Sequence, residues 1–164
     1  MSENANLFRN VENDNLDCRL FGYICDSEER GGFFDLSEVY LAKLGAGTAQ
    51  TELPIGKDHL NWQGLVGEAV YATSAVSAMS YSVFSLDKIG SMTDFHLEIL
   101  EKAQKGTVLI AVAKVTQQGE KEITVQAEIK NQEDKLLAKA GGKFIIESDF
   151  VYAYADYLRK IGIQ

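Results

Sequence analysis

One proline, two cysteines, two histidines and one tryptophan in 164 residues leave this chain without the material for several common chemistries. Cys18 and Cys25 lie seven apart, which is neither the close paired spacing of a zinc site nor enough for a disulfide framework. Both are therefore expected as reduced thiols in a cytoplasmic protein that holds no metal. Basic residues are in deficit as well, 16 Lys and Arg against 24 Asp and Glu, for a formal net charge of −8. Without clustered basic residues there is no electrostatic footprint for nucleic acid, and an acidic balance suits an anionic membrane poorly. The opening Met-Ser-Glu-Asn-Ala-Asn lacks the basic and apolar regions of a secretory signal. No Gly-x-Ser-x-Gly elbow or Walker loop occurs, and Gly45-Ala-Gly47 lacks both the third glycine and the following helix of a dinucleotide fingerprint. Nothing calls for a cofactor. With 46% apolar residues and a single proline, the chain suits one domain with a real core.

What the chain does have is a long apolar, small-residue segment, residues 65–84, approached through His59-Leu60-Asn61-Trp62-Gln63-Gly64. Between Leu60 and Leu86 its only formally charged side chain is Glu68. The length raises the question of a membrane span, but Thr73, Ser74, Ser77, Ser80 and Ser82 make a buried core helix the better reading, from about Trp62 to near Asp87. Before it, Leu20 to Ile24 suggests a helical turn that Gly31-Gly32 breaks, and residues 47–53 are β-compatible until Pro54 and Gly56 end them. After it, residues 92–99 and 122–130 alternate apolar with polar, 107–116 runs almost continuously apolar, and 136–146 returns. Turns at 117–120 and 131–134 make these strands an antiparallel meander whose apolar face needs a cover, and the long helix supplies it. Ser148-Asp149 can cap a last helix with Phe150, Tyr154, Tyr157, Leu158 and Ile161 on one stripe. The expected division is a polar tail over 1–16, a domain over 17–147 and a C-terminal amphipathic helix over 148–164.

His59-Leu60-Asn61 with Gly64, the strand Asp94-Phe-His-Leu-Glu-Ile-Leu-Glu-Lys-Ala-Gln-Lys-Gly106, and the return strand Asp134-Lys-Leu-Leu-Ala-Lys-Ala stand in an order that resembles the hotdog-fold acyl-CoA thioesterases, and more closely their phenylacetyl-CoA-type branch. The resemblance covers roughly residues 18–147. It implies an α+β hotdog fold, a long central helix wrapped by a curved antiparallel sheet, here followed by the C-terminal helix. It also implies a homo-oligomer, dimer or tetramer, with sites at the subunit boundary, and acyl-CoA or a related thioester as the partner molecule. Family members usually enter the central helix through His-Gly-Gly and carry an Asp or Glu about two turns on. In this sequence the triplet falls on Gly67-Glu68-Ala69 and the acidic position at about Val76, so both signature groups are replaced.

Thioester hydrolysis needs a polarised carbonyl and an activated attacking group. In the family the amides at the start of the central helix do the polarising, a demand on backbone shape that Gly67 and the amide of Glu68 can still meet. For the attacking or water-activating role Glu68 is the only ionisable candidate within the helix; a first-turn carboxylate that caps the helix is the alternative. The expected substrate contacts are Asn61, Gly64, Gly67 and Thr73 of one subunit with Ser91 and Thr93 of the other. Asn61 and Thr73 have structural readings too, as a turn former and as a hydroxyl bonded to the preceding helical turn. His59 belongs by resemblance to the loop leading to the site. His96 sits on the polar phase of its strand, facing solvent or a subunit contact, and Trp62 lines an acyl pocket or fills core. Lysines between Lys102 and Lys143 face either coenzyme A phosphates or simply solvent. The function expected is thus acyl-CoA thioester hydrolysis, the alternative being binding of an acyl ligand without cleavage.

Overall fold

The alternation in residues 122–130 survives intact in the computed structural model, which describes residues 10–163: Ile123, Val125, Ala127 and Ile129 are buried on one face of a strand and Gln126 and Glu128 are exposed on the other. That strand, β6 (Glu122–Lys130), is one of seven: β1 (Glu12–Asp14), β2 (Tyr40–Gly45), β3 (Thr48–Pro54), β4 (Ile89–Ile99), β5 (Val108–Gln118) and β7 (Leu136–Ser148) complete the sheet. Their order is β1-β2-β3-β5-β6-β7-β4, antiparallel throughout except where β1 lies parallel to β2. Register shifts interrupt the ladders at Leu41/Lys43, Met92/Asp94 and Val115/Gln117, and each such extra residue bends its strand and adds twist.

Against the concave face lies α3 (Glu68–Phe84), seventeen residues running beneath β3, β5 and β6. Its Tyr71, Met79 and Val83 are fully buried, each removing apolar area worth about 1.5–3 kcal/mol. Thr51 on β3 and Ser77 on α3 put their hydroxyls 3.1 Å apart in the middle of this packing. The helix starts six residues later than the apolar run alone suggests. Asn61 N–H donates to the Leu65 carbonyl at 2.8 Å, Gly64 takes φ 76°, and Leu60 and Val66 bridge across, so residues 60–66 form a small closed turn instead of a helical one. The same device recurs at 131–135: Asn131 Oδ1 accepts the amides of Glu133 and Lys135 as Asn61 Oδ1 accepts those of Gln63 and Leu65, with Asp134 in the left-handed position that Gly64 fills.

A second core closes the far end of α3. The helices α1 (Cys18–Glu29) and α4 (Phe150–Lys160) pack there with β2, gathering Leu20, Ile24, Leu41 and Leu44 around Tyr81, Phe150 and Tyr154. The ring pairs Phe34–Tyr81, Tyr81–Phe84, Phe84–Phe150 and Phe150–Tyr154 run continuously through it. Asp87 caps α4 from outside: its carbonyl accepts Phe150 N–H at 3.2 Å and its Oδ1 accepts Val151 N–H at 2.7 Å. Tyr154 hydroxyl donates to Asp26 at 2.5 Å and accepts Arg30 Nε at 2.7 Å, fastening α4 to α1. The four-residue α2 (Phe33–Leu36), β1 and β2 have no counterpart in the sequence-based expectation. Residues 12–14, inside the segment expected as a tail, form β1; residues 1–9 of that segment lie outside the described residues.

Candidate active site at the amino end of the long helix

Three loops meet where α3 begins. The turn at 60–66 leads directly into Gly67, whose N–H donates to the His59 carbonyl at 3.3 Å. The loop at 100–107 is held to the helix by Tyr71, whose buried hydroxyl donates to the Glu101 carbonyl at 3.3 Å and accepts Ala103 N–H at 2.5 Å. The turn at 131–135 reaches across through Gln132, which accepts Val108 N–H at 2.9 Å and donates to the Gly106 carbonyl at 3.2 Å. Burial raises the Tyr71 phenol above its ordinary pKa, the Ala103 amide partly offsets that, and the Glu68 charge adds to the rise, so the hydroxyl stays protonated as its two bonds require.

Gly67 is the N-cap and has no side chain to cap with, so the amides of Glu68 and Ala69 face outward without a partner among the described residues. Two unbonded N–H groups at a helix start, with the dipole behind them, suit the oxygen of a polarised carbonyl. The Glu68 side chain is 73% exposed, with Lys102 Nζ 3.8 Å from Oε1, a distance and exposure at which an ion pair contributes little to stability. It is the carboxylate of an open helix end. The apolar surroundings that the sequence suggests for it begin only one turn further on.

The structure brings Asn61, Gly64, Gly67 and Glu68 together at this end. Asn61 is a turn former in full: both bonds of its Oδ1, 2.9 and 3.1 Å long, go to backbone amides of its own turn. Thr73 Oγ1 donates to the Ala69 carbonyl at 2.8 Å, on a half-exposed stripe shared with Ala69, Val76 and Ser80. His59 is also part of the scaffold, since Nδ1 accepts Gly56 N–H at 2.9 Å and Nε2 meets the Ser37 carbonyl at 3.3 Å. Ser91 and Thr93 stand at the other end of the molecule, near the start of β4. Ser91 Oγ is bonded to the Glu147 carboxylate, and Thr93 is the extra residue of the bulge between Met92 and Asp94. Met92, between them, lies over Gly142 beside Met79, about 16 Å along α3 from Glu68, so within one chain they are remote from the carboxylate. His96 lies on the outer face over Gly141, where an added Cβ would come within 2.2 Å of its ring. Trp62 neither fills core nor lines a pocket within the chain; it is 92% exposed at the tip of its turn. Tyr71 has no place among the residues expected at the site, and its only trace in the sequence is as a lone tyrosine among the small residues of the helix's first half.

No protein-family model matches the chain. In sequence it is similar to a protein of Archaeoglobus fulgidus named "Putative esterase", with 27% identity over 118 residues that make up 71% of this chain and 77% of that one. In structure it is similar to the PaaI protein of the E. coli phenylacetic acid degradation operon, at a TM-score of 0.77 and 19% identity, over 82% of this chain and 97% of that one. It is also similar to a hypothetical thioesterase of Streptococcus pneumoniae with coenzyme A, at a TM-score of 0.65 and 19% identity, over 68% and 90% of the two chains. The fold is what the chain has in common with these structures, a long helix packed on a largely antiparallel sheet, and it is the hotdog fold.

Proposed function

We propose that this protein binds an acyl-CoA thioester at the amino end of α3 and hydrolyses it as a homodimer in the cytoplasm. The observation that carries the reading is the pair of unpartnered amides at Glu68 and Ala69, set beside the one carboxylate of the helix. The fold shared with a thioesterase determined with coenzyme A supports the ligand class. In the reaction the thioester oxygen accepts both amides, and the Glu68 carboxylate takes a proton from water as its oxygen bonds the carbonyl carbon. The carbon–sulfur bond then breaks and the thiolate receives that proton, leaving a carboxylic acid and a free thiol. Hydrolysis of short, medium and aromatic acyl-CoAs, followed by thiol release, tests it. Glu68→Gln is expected to lower turnover about hundredfold; equal turnover would remove Glu68 from the chemistry.

The dimer has two supports. Among the described residues the outer edge of β4 offers eleven residues with no strand beside it, and Met92, Phe95, Leu97 and Ile99 on its inner face are only half-buried. Antiparallel pairing of two copies about the middle of β4 would set the second copy's Ser91 opposite Leu97 and its Thr93 opposite Phe95, toward the end of the strand that leads into the loop Tyr71 holds. That arrangement would carry the second copy's Ser91 and Thr93 toward the amino end of the first copy's α3, drawing the residues expected at the site together across a subunit boundary. Leu97→Lys is expected to give monomers in sedimentation and to abolish thiol release together; a monomeric parent protein would refute the shared site. Free thiols at Cys18 and Cys25 support a reducing compartment.

A second reading, acyl-ligand binding without cleavage, is favoured by Val76, which occupies the helix position where the resemblance expects an acid, and by the exposure of Glu68. Calorimetric binding of an acyl-CoA with no thiol release would select it.

A further inference from the structure

Trp62 is the only tryptophan of the chain and is 92% exposed. None of the bonds that build its turn involves the indole, and the matching turn at 131–135 is made with Gln132 in the same position. There the side chain braces a neighbouring loop through the Val108 amide and the Gly106 carbonyl. Trp62 braces nothing. The turn instead presents a large flat apolar ring to solvent, five residues ahead of Gly67, the N-cap of α3.

Charge points to what covers it. Lys57 lies just upstream in the 3₁₀ turn Lys57–His59, and Lys105 sits in the loop that Gly106 and Thr107 fasten to Ile55 by bonds of 3.2 and 2.8 Å. Lys102, Lys130 and Lys135 of the same end are each paired with a carboxylate, whereas Lys57 and Lys105 have none within 4.0 Å among the described residues. In a chain of net charge −8, two ammonium groups without a carboxylate partner, one five residues before the bare indole and one on the loop fastened to Ile55, complement a ligand that is both anionic and aromatic.

We propose that Trp62 is a stacking platform for the purine of a nucleotide-bearing ligand, with Lys57 and Lys105 receiving its phosphates. This rests on the reading of α3 as a coenzyme A thioester site and assigns the nucleotide half of that ligand to the turn before the helix. Any base offers a π-face to an indole, and lysines serve phosphates as point charges, so the two features belong to one ligand chemistry.

The chain reports on itself, because all of its tryptophan emission comes from Trp62. The full-length protein is titrated with coenzyme A, with adenosine bisphosphate and with pantetheine, following tryptophan emission and, in parallel, heat. Coenzyme A and adenosine bisphosphate are expected to quench the emission to saturation, and pantetheine to leave it unchanged. Trp62→Leu is expected to weaken coenzyme A binding about tenfold by calorimetry, Trp62→Phe to restore most of it, and Lys57→Gln with Lys105→Gln to flatten its salt dependence. Heat from coenzyme A with unchanged emission overturns the platform and leaves the thioester site standing. Neither heat nor quenching overturns both. Quenching by pantetheine alone, or by raising the protein concentration alone, overturns the platform by assigning Trp62 to the acyl arm or to a contact between copies.

Discussion

At its carboxyl end α3 runs into a wall of rings, Tyr81 and Phe84 against Phe34, Phe150 and Tyr154, while at its amino end it finishes in solvent with Glu68 exposed and Gly67 unable to cap it. The closed end is sealed by segments remote in sequence, α1, α2 and α4. The open end is surrounded only by short loops, held by individual hydrogen bonds from Tyr71, Gln132 and His59. With the proposed site at the open end, stability and ligand chemistry fall to opposite ends of one helix, so substitutions at the two ends should separate cleanly in what they change.

Phe150→Ala at the closed end should have the largest effect, about 4 kcal/mol of stability by denaturant titration, because it empties the centre of the ring stack; ligand binding by the molecules still folded should be unchanged. Glu68→Gln at the open end should do the reverse. The hundredfold loss of turnover amounts to about 2.7 kcal/mol of barrier, with stability moved by no more than about 0.5 kcal/mol. A large stability loss in Glu68→Gln would show that the two ends are not separable. Tyr71→Phe lies between them. It leaves the buried Ala103 amide without an acceptor, so it should cost about 2 kcal/mol and also weaken acyl-CoA binding by loosening the 100–107 loop.

The smallest effect, about 1 kcal/mol, belongs to Tyr154→Phe, and it carries a pH signature. The Tyr154 hydroxyl, and then Arg30, hold the Asp26 carboxyl below its ordinary 3.8. A carboxyl lowered in the folded state adds stability that is present above its unfolded value and is lost as pH falls through the folded one. The gap between parent and variant should therefore be full at neutral pH and shrink below about pH 4. A gap that is constant through acid would detach Asp26 from the clamp.

Strands were the part of this molecule most readable from sequence. β6 begins and ends where its alternation does, because period is a local property; α4 begins after Asp149 as expected, but the side chain that caps it is Asp87, 64 positions before Val151. The start of α3 was not readable: Leu65 and Val66 extend the apolar run, yet the bonds of Asn61 and the bridge between Leu60 and Val66 claim them for the turn. β2 stayed hidden because its Leu41 and Leu44 straddle a bulge that breaks the two-residue period. At the candidate site, the grouping of Asn61, Gly64, Gly67 and Glu68 was legible because they are neighbours along the chain. The exposure of Glu68 could not, since it depends on how far the helix projects beyond the sheet, and neither could the hold of Tyr71 on residues thirty positions away.

Asp87 ties the last turn of α3 to the first of α4 across 64 positions of sequence. During synthesis that latch cannot close until β4, β5, β6 and β7 have all been made, so every nascent length ending short of Phe150 leaves the ring of Phe84 without its partner in α4. α4 is thus the plug of the domain, and any shortening of the chain ahead of Phe150 should be felt as aggregation before it is felt as lost chemistry.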